Sequence, residues 1–433
     1  MDAYLIKEII SDFHERELPK LTPRLINLDC PENKIRTLIG PRRSGKTFTF
    51  FQLIKELLTN GISKEKILYF NFEDERLLPF ETAHLSLIIS TYYEMYPHLK
   101  EDRIYLFFDE IQNIPNWEIF IRRIHDTENA QINITGSSSK LMSQEIATSL
   151  RGRTLTYEIF PFSFKEFLNS KKIPLDIYSS KNRSYIIHTF EEYLIRGGYP
   201  EVLNVIEDER IRILQDYFNV LLYKDLIERF QIRKHALIKY LFKFLLENSA
   251  NPFSVNKFVN DTRSQGYSVS KESVHTYLSY IEDTMSLSFV YLFSESLRKR
   301  QVNYRKVYPV DHGLITAITA PIFYNTGRLL ETMVYNHLRR RFSREEIFYY
   351  KINGQEIDLV TTKRGEIIDI IQVCERLEAE KTRQRETSAL FAAMEELNYS
   401  ESFIITRSER GEAKKDGRVI YIIPFWEWVL QKL

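Results

Sequence analysis

Cysteine is nearly absent: of 433 residues only Cys30 and Cys374 carry a thiol, far apart and in no metal-ligand spacing. That excludes a disulfide framework and a cysteine-rich zinc module. Glycine and proline are sparse, 14 of each, and no linker-like low-complexity stretch or solenoid repeat divides the chain. An excess of one charge is missing as well. With 60 Lys+Arg against 59 Asp+Glu the formal net charge is +1, so no global field selects nucleic acid or a membrane surface, and any basic surface is local. No apolar run approaches the roughly 18 residues of a membrane span. Residues 1–19 mix Asp, Lys, Glu and Arg among apolar side chains and lack a signal-peptide core. The expectation is a cytoplasmic protein of about two to four tightly packed domains with no membrane partner.

Against these absences stands one octapeptide, Gly40-Pro41-Arg42-Arg43-Ser44-Gly45-Lys46-Thr47. It has the G-x-x-x-x-G-K-[ST] form of a phosphate loop, and its surroundings fit. Residues 35–39 read as a short buried strand, and Phe50, Leu53, Ile54, Leu57 and Leu58 recur at helical spacing after the loop. Gly40 and Gly45 let the backbone wrap an anion, so that N–H groups and the helix N-terminus face the phosphates. Lys46 is expected at the β and γ phosphates and the Thr47 hydroxyl at Mg²⁺, making ATP and Mg²⁺ the expected ligands.

A second element points the same way. Ile104-Tyr105-Leu106-Phe107-Phe108 is an unbroken apolar run ending in Asp109-Glu110, the pattern of a strand buried on both faces that delivers acids at its carboxyl end. Asp109 is suited to hold Mg²⁺ and Glu110 to polarise an attacking water. Residues 67–72 predict a further strand, with Asn71-Phe72-Glu73-Asp74 opening onto the nucleotide crevice. Residues 132–135 predict another, whose tip Gly136-Ser137-Ser138 reaches a water or the γ phosphate. In Leu150-Arg151-Gly152-Arg153, Arg151 or Arg153 offers a cation for transition-state charge, in cis or from a neighbouring subunit; the alternative is a structural role.

The order of G-P-R-R-S-G-K-T, F-F-D-E-I-Q, I-T-G-S-S-S, L-R-G-R, F-P-F-S-F-K-E-F and Arg196-Gly197-Gly198-Tyr199-Pro200 resembles the archaeal and bacterial AAA+ ATPases with a carboxyl-terminal domain of unknown function. The resemblance covers nearly the whole chain. It implies a sensor position at Ser137 or Thr135 and, commonly, oligomers with shared sites. More distantly, the chain is similar to the signal-transducing ATPases with numerous domains, which act as nucleotide-controlled switches and include closed monomers.

Residues 185–196 and 208–229 carry apolar side chains at helical spacing, the first run stopping at Gly197-Gly198, and predict a helical lid over the ATPase core. Residues 236–247, 254–262 and a run capped by Ser270 predict three more helices, followed by strands over 287–293 and 301–308. Three helices and a two-stranded ribbon make a winged-helix order. Its third helix offers Lys271, Ser273, His275 and Ser279 to DNA, and the turn offers Arg298, Lys299 and Arg300 for phosphates, with Arg305 and Lys306 just beyond. Such domains also dock proteins.

The carboxyl-terminal segment predicts a helix over 327–341 with Glu331 on its apolar face, then strands over 355–360 and 365–373, a helix over 383–397 and a strand over 402–406. This order resembles the PD-(D/E)XK nuclease fold. Glu331 and Asp358 match its first two acids, whereas Gln372 and Cys374 stand where an acid and a lysine belong. An amide removes charge from a Mg²⁺ site and a thiol cannot replace an ammonium, so the chemistry reads as dismantled unless another residue, such as Glu366 or Glu375, has migrated in.

The expected architecture is α/β: an N-terminal helical segment (1–30), a P-loop parallel-sheet ATPase core (31–160), a helical lid (161–235), a winged-helix domain (236–312) and a PD-(D/E)XK-like domain (322–433). The expected function is ATP hydrolysis controlling the later domains, on DNA. The alternatives are a nucleotide-locked switch with negligible turnover and, further off, a metal-dependent nuclease.

Overall fold

The computed structural model describes residues 2–79, 81–136, 150–266, 269–320 and 325–431. The chain divides into two compact units, Met1–Phe160 and Pro161–Leu433. No described helix is long and apolar enough to cross a membrane.

The first unit opens with helix α1 (Ala3–Glu15), capped by Asp2, with Ile6, Ile9, Ile10 and Phe13 on its buried stripe. The expected helical segment to residue 30 is therefore shorter than predicted. Pro19 and Pro23 lie just beyond its end, and proline has no N–H to continue a helix.

Strands β1 (Ile35–Ile39), β2 (Ile67–Asn71), β3 (Ile104–Asp109), β4 (Ala130–Gly136) and β5 (Thr154–Glu158) form one sheet in the order β2-β3-β4-β1-β5. Every pairing is parallel, so each connection crosses over, through helices α2 (Lys46–Thr59), α3 (Thr82–Met95) and α4 (Trp117–Thr127) among others. Leu38, Phe50, Ile54, Ile67 and Phe107 are fully buried in the core under α2. Each such side chain contributes about 1.5–3 kcal/mol by leaving water. β4 lies between the phosphate-loop strand and the acidic strand. The carboxyl ends of β1, β3 and β4 therefore line one crevice, where open parallel sheets bind ligands.

In the second unit, helices His235–Glu247, Val255–Ser264 and Lys271–Asp283 precede antiparallel strands β7 (Leu287–Leu292) and β8 (Arg305–Pro309), with β6 (Pro252–Phe253) paired to β8. Ser270 caps the third helix by accepting the Ser273 N–H. The ribbon departs from expectation in its turn, where a helix, Leu297–Val302, delays the second strand to Arg305. It departs again at its edge. β7 pairs in parallel with β9 (Ile347–Ile352) through Tyr291 and Leu292, giving the exposed edge of the ribbon a partner.

The ribbon thus joins β10 (Gln355–Lys363), β11 (Glu366–Val373), β12 (Glu401–Thr406), β13 (Gly411–Lys415) and β14 (Arg418–Pro424) in one nine-stranded sheet. Segments 236–312 and 322–433 are structurally continuous, in place of the two separate domains expected. Helix Glu380–Glu396 covers one face through Leu390, Ala393 and Met394, against Val360, Ile404 and Ile420.

Of the runs expected as a lid, 185–196 lies in helix Ser180–Arg196, which with Phe164–Ser170 builds the other face, and 208–229 forms helix Glu207–Val220 and a π-helical stretch, Leu221–Glu228. Phe164, Phe167, Phe190 and Leu194 share one core with Leu330, Val334, Leu359, Ile371, Phe425 and Trp428. Their apolar faces are spent within the second unit. The R-G-G-Y-P motif has a structural account there too. Asp311 accepts N–H groups from Gly198 at 2.7 Å and Gly313 at 2.8 Å, and a Cβ on Gly197 (φ 80°) would lie 2.1 Å from the Asp311 carboxylate. Phe162 completes the junction: its N–H donates to the Gly198 carbonyl at 2.6 Å and its carbonyl accepts the Tyr193 hydroxyl at 2.8 Å.

Candidate nucleotide site and a buried ion cluster

The phosphate loop runs from the end of β1 into α2 with φ 149° at Gly40, 63° at Arg43 and 97° at Gly45. A Cβ on Gly40 would lie 2.2 Å from the Ile159 carbonyl, so this close approach requires glycine. Lys46 is buried, its ammonium donating to the Gly40 and Pro41 carbonyls at 3.2 and 3.1 Å. Glu110 lies 3.8 Å away. Burial lowers the Lys46 pKa, and the charges of Glu110 and Asp109 offset this only in part. The Ser44 hydroxyl is buried in the loop and has no hydrogen-bond partner among the described residues. An ammonium resting on neutral carbonyls and an orphaned hydroxyl both fit an incoming phosphate.

β3 delivers Asp109 and Glu110 to the same crevice, both buried. Glu110 has φ 53°, a left-handed conformation, fixed by its N–H donating to the Thr135 hydroxyl at 2.9 Å. Thr135, near the end of β4, in turn donates to Asp109 Oδ1. Tyr69 donates to Asp109 Oδ2 at 3.0 Å. Burial raises the Asp109 pKa, while hydrogen bonds from Thr135, Thr47 and Tyr69 oppose the rise. The structure therefore brings Lys46, Thr47, Asp109, Glu110 and Thr135 together. Glu73 also faces this group, 3.7 Å from Arg42 of the loop; burial and then the Glu110 charge raise its pKa.

Among the described residues no group of three or more His, Cys, Asp or Glu is arranged to hold a metal ion. Thr47 and Asp109 suit a cation that takes its other ligands from phosphate and water. Two further residues escaped the sequence reading. Gln112 donates its amide to Glu110 Oε2, and Tyr69 lies one strand away from the acid it contacts. The F-F-D-E-I-Q run held the only signal for Gln112.

Ser137 lies outside the described residues. Arg151 and Arg153 precede β5, whose first residue pairs with the start of β1, so they sit at the end of the sheet opposite the phosphate loop. Arg153 instead binds Asp126 bidentately at 3.1 and 3.0 Å. Neither reaches the loop within this chain.

In the second unit Glu331 and Asp358 converge, but on a residue expected elsewhere. Lys306 of β8 is 1% exposed, and its ammonium lies 2.5 Å from Glu331, 2.9 Å from Asp358 and 3.2 Å from Glu356. Tyr308 donates to Glu331 at 2.6 Å. Burial alone would lower the Lys306 pKa; Asp358 and Glu331 raise it well above the ordinary value. Burial and the Asp358 charge push Glu331 up to about 7, since one ammonium cannot balance three carboxylates.

Gln372 accepts the Asp358 N–H at 3.1 Å and donates to Glu386 at 2.9 Å. Cys374 turns to the Arg376 carbonyl at 3.1 Å, and burial pushes its thiol up to about 11. Glu375 pairs with Arg407 at 2.9 Å, and Glu366 is exposed at the start of β11. Among the described residues the contacts of Lys306, Glu331 and Asp358 are made by other side chains. The residue that joins these acids is Lys306. Its i, i+2 spacing with Tyr308 on one strand was the available clue.

Of the basic candidates, Lys271, His275, Ser279, Arg298 and Lys299 are exposed and Ser273 is half-buried. Arg300 folds back onto the Ser294 carbonyl and over the Phe348 ring. Arg305 stacks over Tyr291. Lys306, being buried, cannot meet a phosphate backbone.

Residues 32–168 match the AAA domain family, and residues 187–321 and 326–428 match two domain families of unknown function, DUF8612 and DUF4143. An uncharacterized protein of Methanocaldococcus jannaschii, MJ1544, is 36% identical over 98% of this chain and 95% of its own length. An uncharacterized protein of Haemophilus influenzae is 30% identical over 92% of this chain and 94% of its own. Among solved structures, the Aeropyrum pernix ORC2 protein with ADPNP and ADP is similar at 12% identity and TM-score 0.34, covering 71% of this chain and 89% of that one. A superposition that loose carries no functional weight.

Proposed function

The chain belongs to the family of these Methanocaldococcus and Haemophilus proteins, an AAA domain followed by two domains of unknown function, and we propose that it binds ATP with Mg²⁺ and hydrolyses it. The convergence of Lys46, Thr47, Asp109, Glu110 and Thr135 at the carboxyl ends of three neighbouring strands carries this reading.

The loop amides from Gly40 to Gly45 and the start of α2 receive the phosphates. Lys46 turns from the Gly40 and Pro41 carbonyls to the β and γ phosphates, and the Ser44 hydroxyl gains the partner it lacks. Thr47 and Asp109 would hold Mg²⁺, which would neutralise phosphate oxygens. Glu110 accepts a proton from a water as that oxygen bonds to the γ phosphorus, and the bond to the ADP oxygen breaks. Thr135 orients both acids at once. Arg151 or Arg153 serves the reaction only from a neighbouring copy of the chain, which is the geometric reason to look for an oligomer.

The later elements support a winged-helix reading of 236–312, with Lys271, His275, Arg298 and Lys299 as the DNA-facing side chains. They support a PD-(D/E)XK-like reading of 322–433 as a binding module without nuclease activity, because an ammonium fills the centre of its acidic group. A cytoplasmic setting, where ATP is abundant, is part of this reading.

Phosphate release by the purified chain, with and without duplex or single-stranded DNA, tests this. Glu110→Gln is expected to bind ATP and to lose about 10²–10⁴-fold in turnover; unchanged turnover would remove Glu110 as the base. One observation favours a second reading. Gln112 and Lys46 both engage Glu110, which restrains the base and suits a nucleotide-locked switch. Co-purified nucleotide with negligible turnover in wild type would select it.

A further inference from the structure

Arg24 lies in the irregular segment between α1 and β1, far in sequence from any motif, and is only 7% exposed. Its guanidinium donates through one nitrogen to the carbonyl of Ser44, inside the phosphate loop, at 2.8 Å. Through a second it donates to the carbonyl of Phe160 at 2.6 Å. Its own N–H is held by the Gln52 side chain on α2 at 2.7 Å. The loop and the residues leaving β5 also touch directly: the Ile159 N–H donates to the Ile39 carbonyl at 2.7 Å, and Gly40 has no room for a side chain beneath Ile159.

A guanidinium is planar, so its two donors keep a fixed separation. The Ser44 and Phe160 carbonyls are therefore held in register, and a shift of one moves the other or breaks a charge-assisted hydrogen bond. Phosphate entry rearranges the hydrogen bonds of the same loop, because Lys46 must release the Gly40 and Pro41 carbonyls. Phe160 is the last residue of the first unit. Two residues on, both main-chain groups of Phe162 are fixed inside the second unit, by Gly198 and Tyr193.

We propose that Arg24 is a positioning residue that ties the state of the phosphate loop to Phe160, so that nucleotide binding is felt where the chain enters its second unit. The proposal rests on the ATPase reading. It explains why a buried cation outside the phosphate loop donates to two main-chain carbonyls more than a hundred residues apart.

The test is amide hydrogen exchange of peptides spanning residues 158–166, with and without a saturating non-hydrolysable ATP analogue and Mg²⁺. Wild type, Arg24→Lys and Arg24→Met are compared, with circular dichroism as the check of folding. In wild type the analogue is expected to change exchange in this segment. Arg24→Met is expected to bind the analogue about tenfold more weakly and, once saturated, to show no change there. Arg24→Lys reaches one carbonyl rather than two; it is expected to bind within a few-fold of wild type and still lose the response.

A saturated Arg24→Lys protein that responds like wild type overturns the proposal, even if Arg24→Met fails to fold. A wild-type protein that binds the analogue with no response at 158–166 overturns it while leaving the ATPase reading intact. A wild-type protein that binds no nucleotide overturns both.

Discussion

Among the described residues two lysines lie buried among carboxylates, and their protonation shifts in opposite directions. At Lys46 burial wins and the pKa falls; at Lys306 the surrounding acids win and it rises well above the ordinary value. The difference is one of distance and number. Lys46 has one carboxylate at 3.8 Å and otherwise rests on neutral carbonyls, so much of its capacity to bind an anion is unspent. Lys306 has three carboxylates within 3.2 Å and nothing left to offer. A buried cation with loose partners waits for a ligand, whereas one with tight partners is part of the framework.

Removing each ammonium breaks the comparison most directly. Lys46→Ala is expected to weaken ATP binding by at least about 100-fold while leaving the melting of the ligand-free protein near that of wild type. Lys306→Met is expected to do the reverse. It leaves buried carboxylates without their counter-charge, at a cost of about 3–5 kcal/mol, read as a lower melting temperature of the second unit with ATP affinity unchanged. Calorimetry beside labelled-nucleotide binding separates the two. Comparable loss of stability in both variants would make Lys46 a structural residue as well.

Glu331 sharpens the contrast through pH. Burial, and then the Asp358 charge, raise its folded-state pKa to about 7 from an ordinary 4.5, so the folded chain holds that proton more tightly than the unfolded one. The stabilising effect is complete below about pH 4.5 and is lost as pH rises through about 7. Glu331→Gln cannot ionise and keeps an acceptor for Tyr308. It is expected to flatten the stability profile across this window, by on the order of 3 kcal/mol at most. Parallel wild-type and variant profiles between pH 4.5 and 8 would show that Lys306 keeps Glu331 fully ionised.

What was legible in the sequence follows the same division. The phosphate loop and Asp109-Glu110 are contiguous runs whose flanking strands and helix are local patterns, and both landed where their spacing implied. The ion cluster draws on residues 306, 331, 356 and 358 from three separate elements, and the pairing of β7 with β9 and the stacking of Tyr308 on Tyr335 bring the ribbon beside them. Lys306 stood in a basic stretch after Arg298, Lys299 and Arg300, so its neighbours in sequence argued for a solvated turn. Arg305 and Lys306 face opposite ways, as successive strand residues do, and sequence alone left undecided which of them points inward. The partner of 180–196 was hidden for a related reason: its buried stripe was evident, but a stripe does not name what it packs against, here the core with Leu330, Val334 and Phe425.

Arg153 supplies the smallest effect and the control for the rest. It is a cation paired with one carboxylate, Asp126, but both are partly open to solvent, at 31% and 50% exposure. Water and salt screen such a pair, which places it far from either buried lysine. Arg153→Ala is therefore expected to leave melting unchanged within error and to leave ATP turnover of the isolated chain unchanged, since the side chain stands at the far end of the sheet. Turnover that depends on Arg153 only at high protein concentration would mean that the arginine enters the site of an adjacent copy. In that case the capacity Lys46 holds in reserve would be completed by a charge from outside the chain, and the contrast with the self-sufficient cluster around Lys306 would widen.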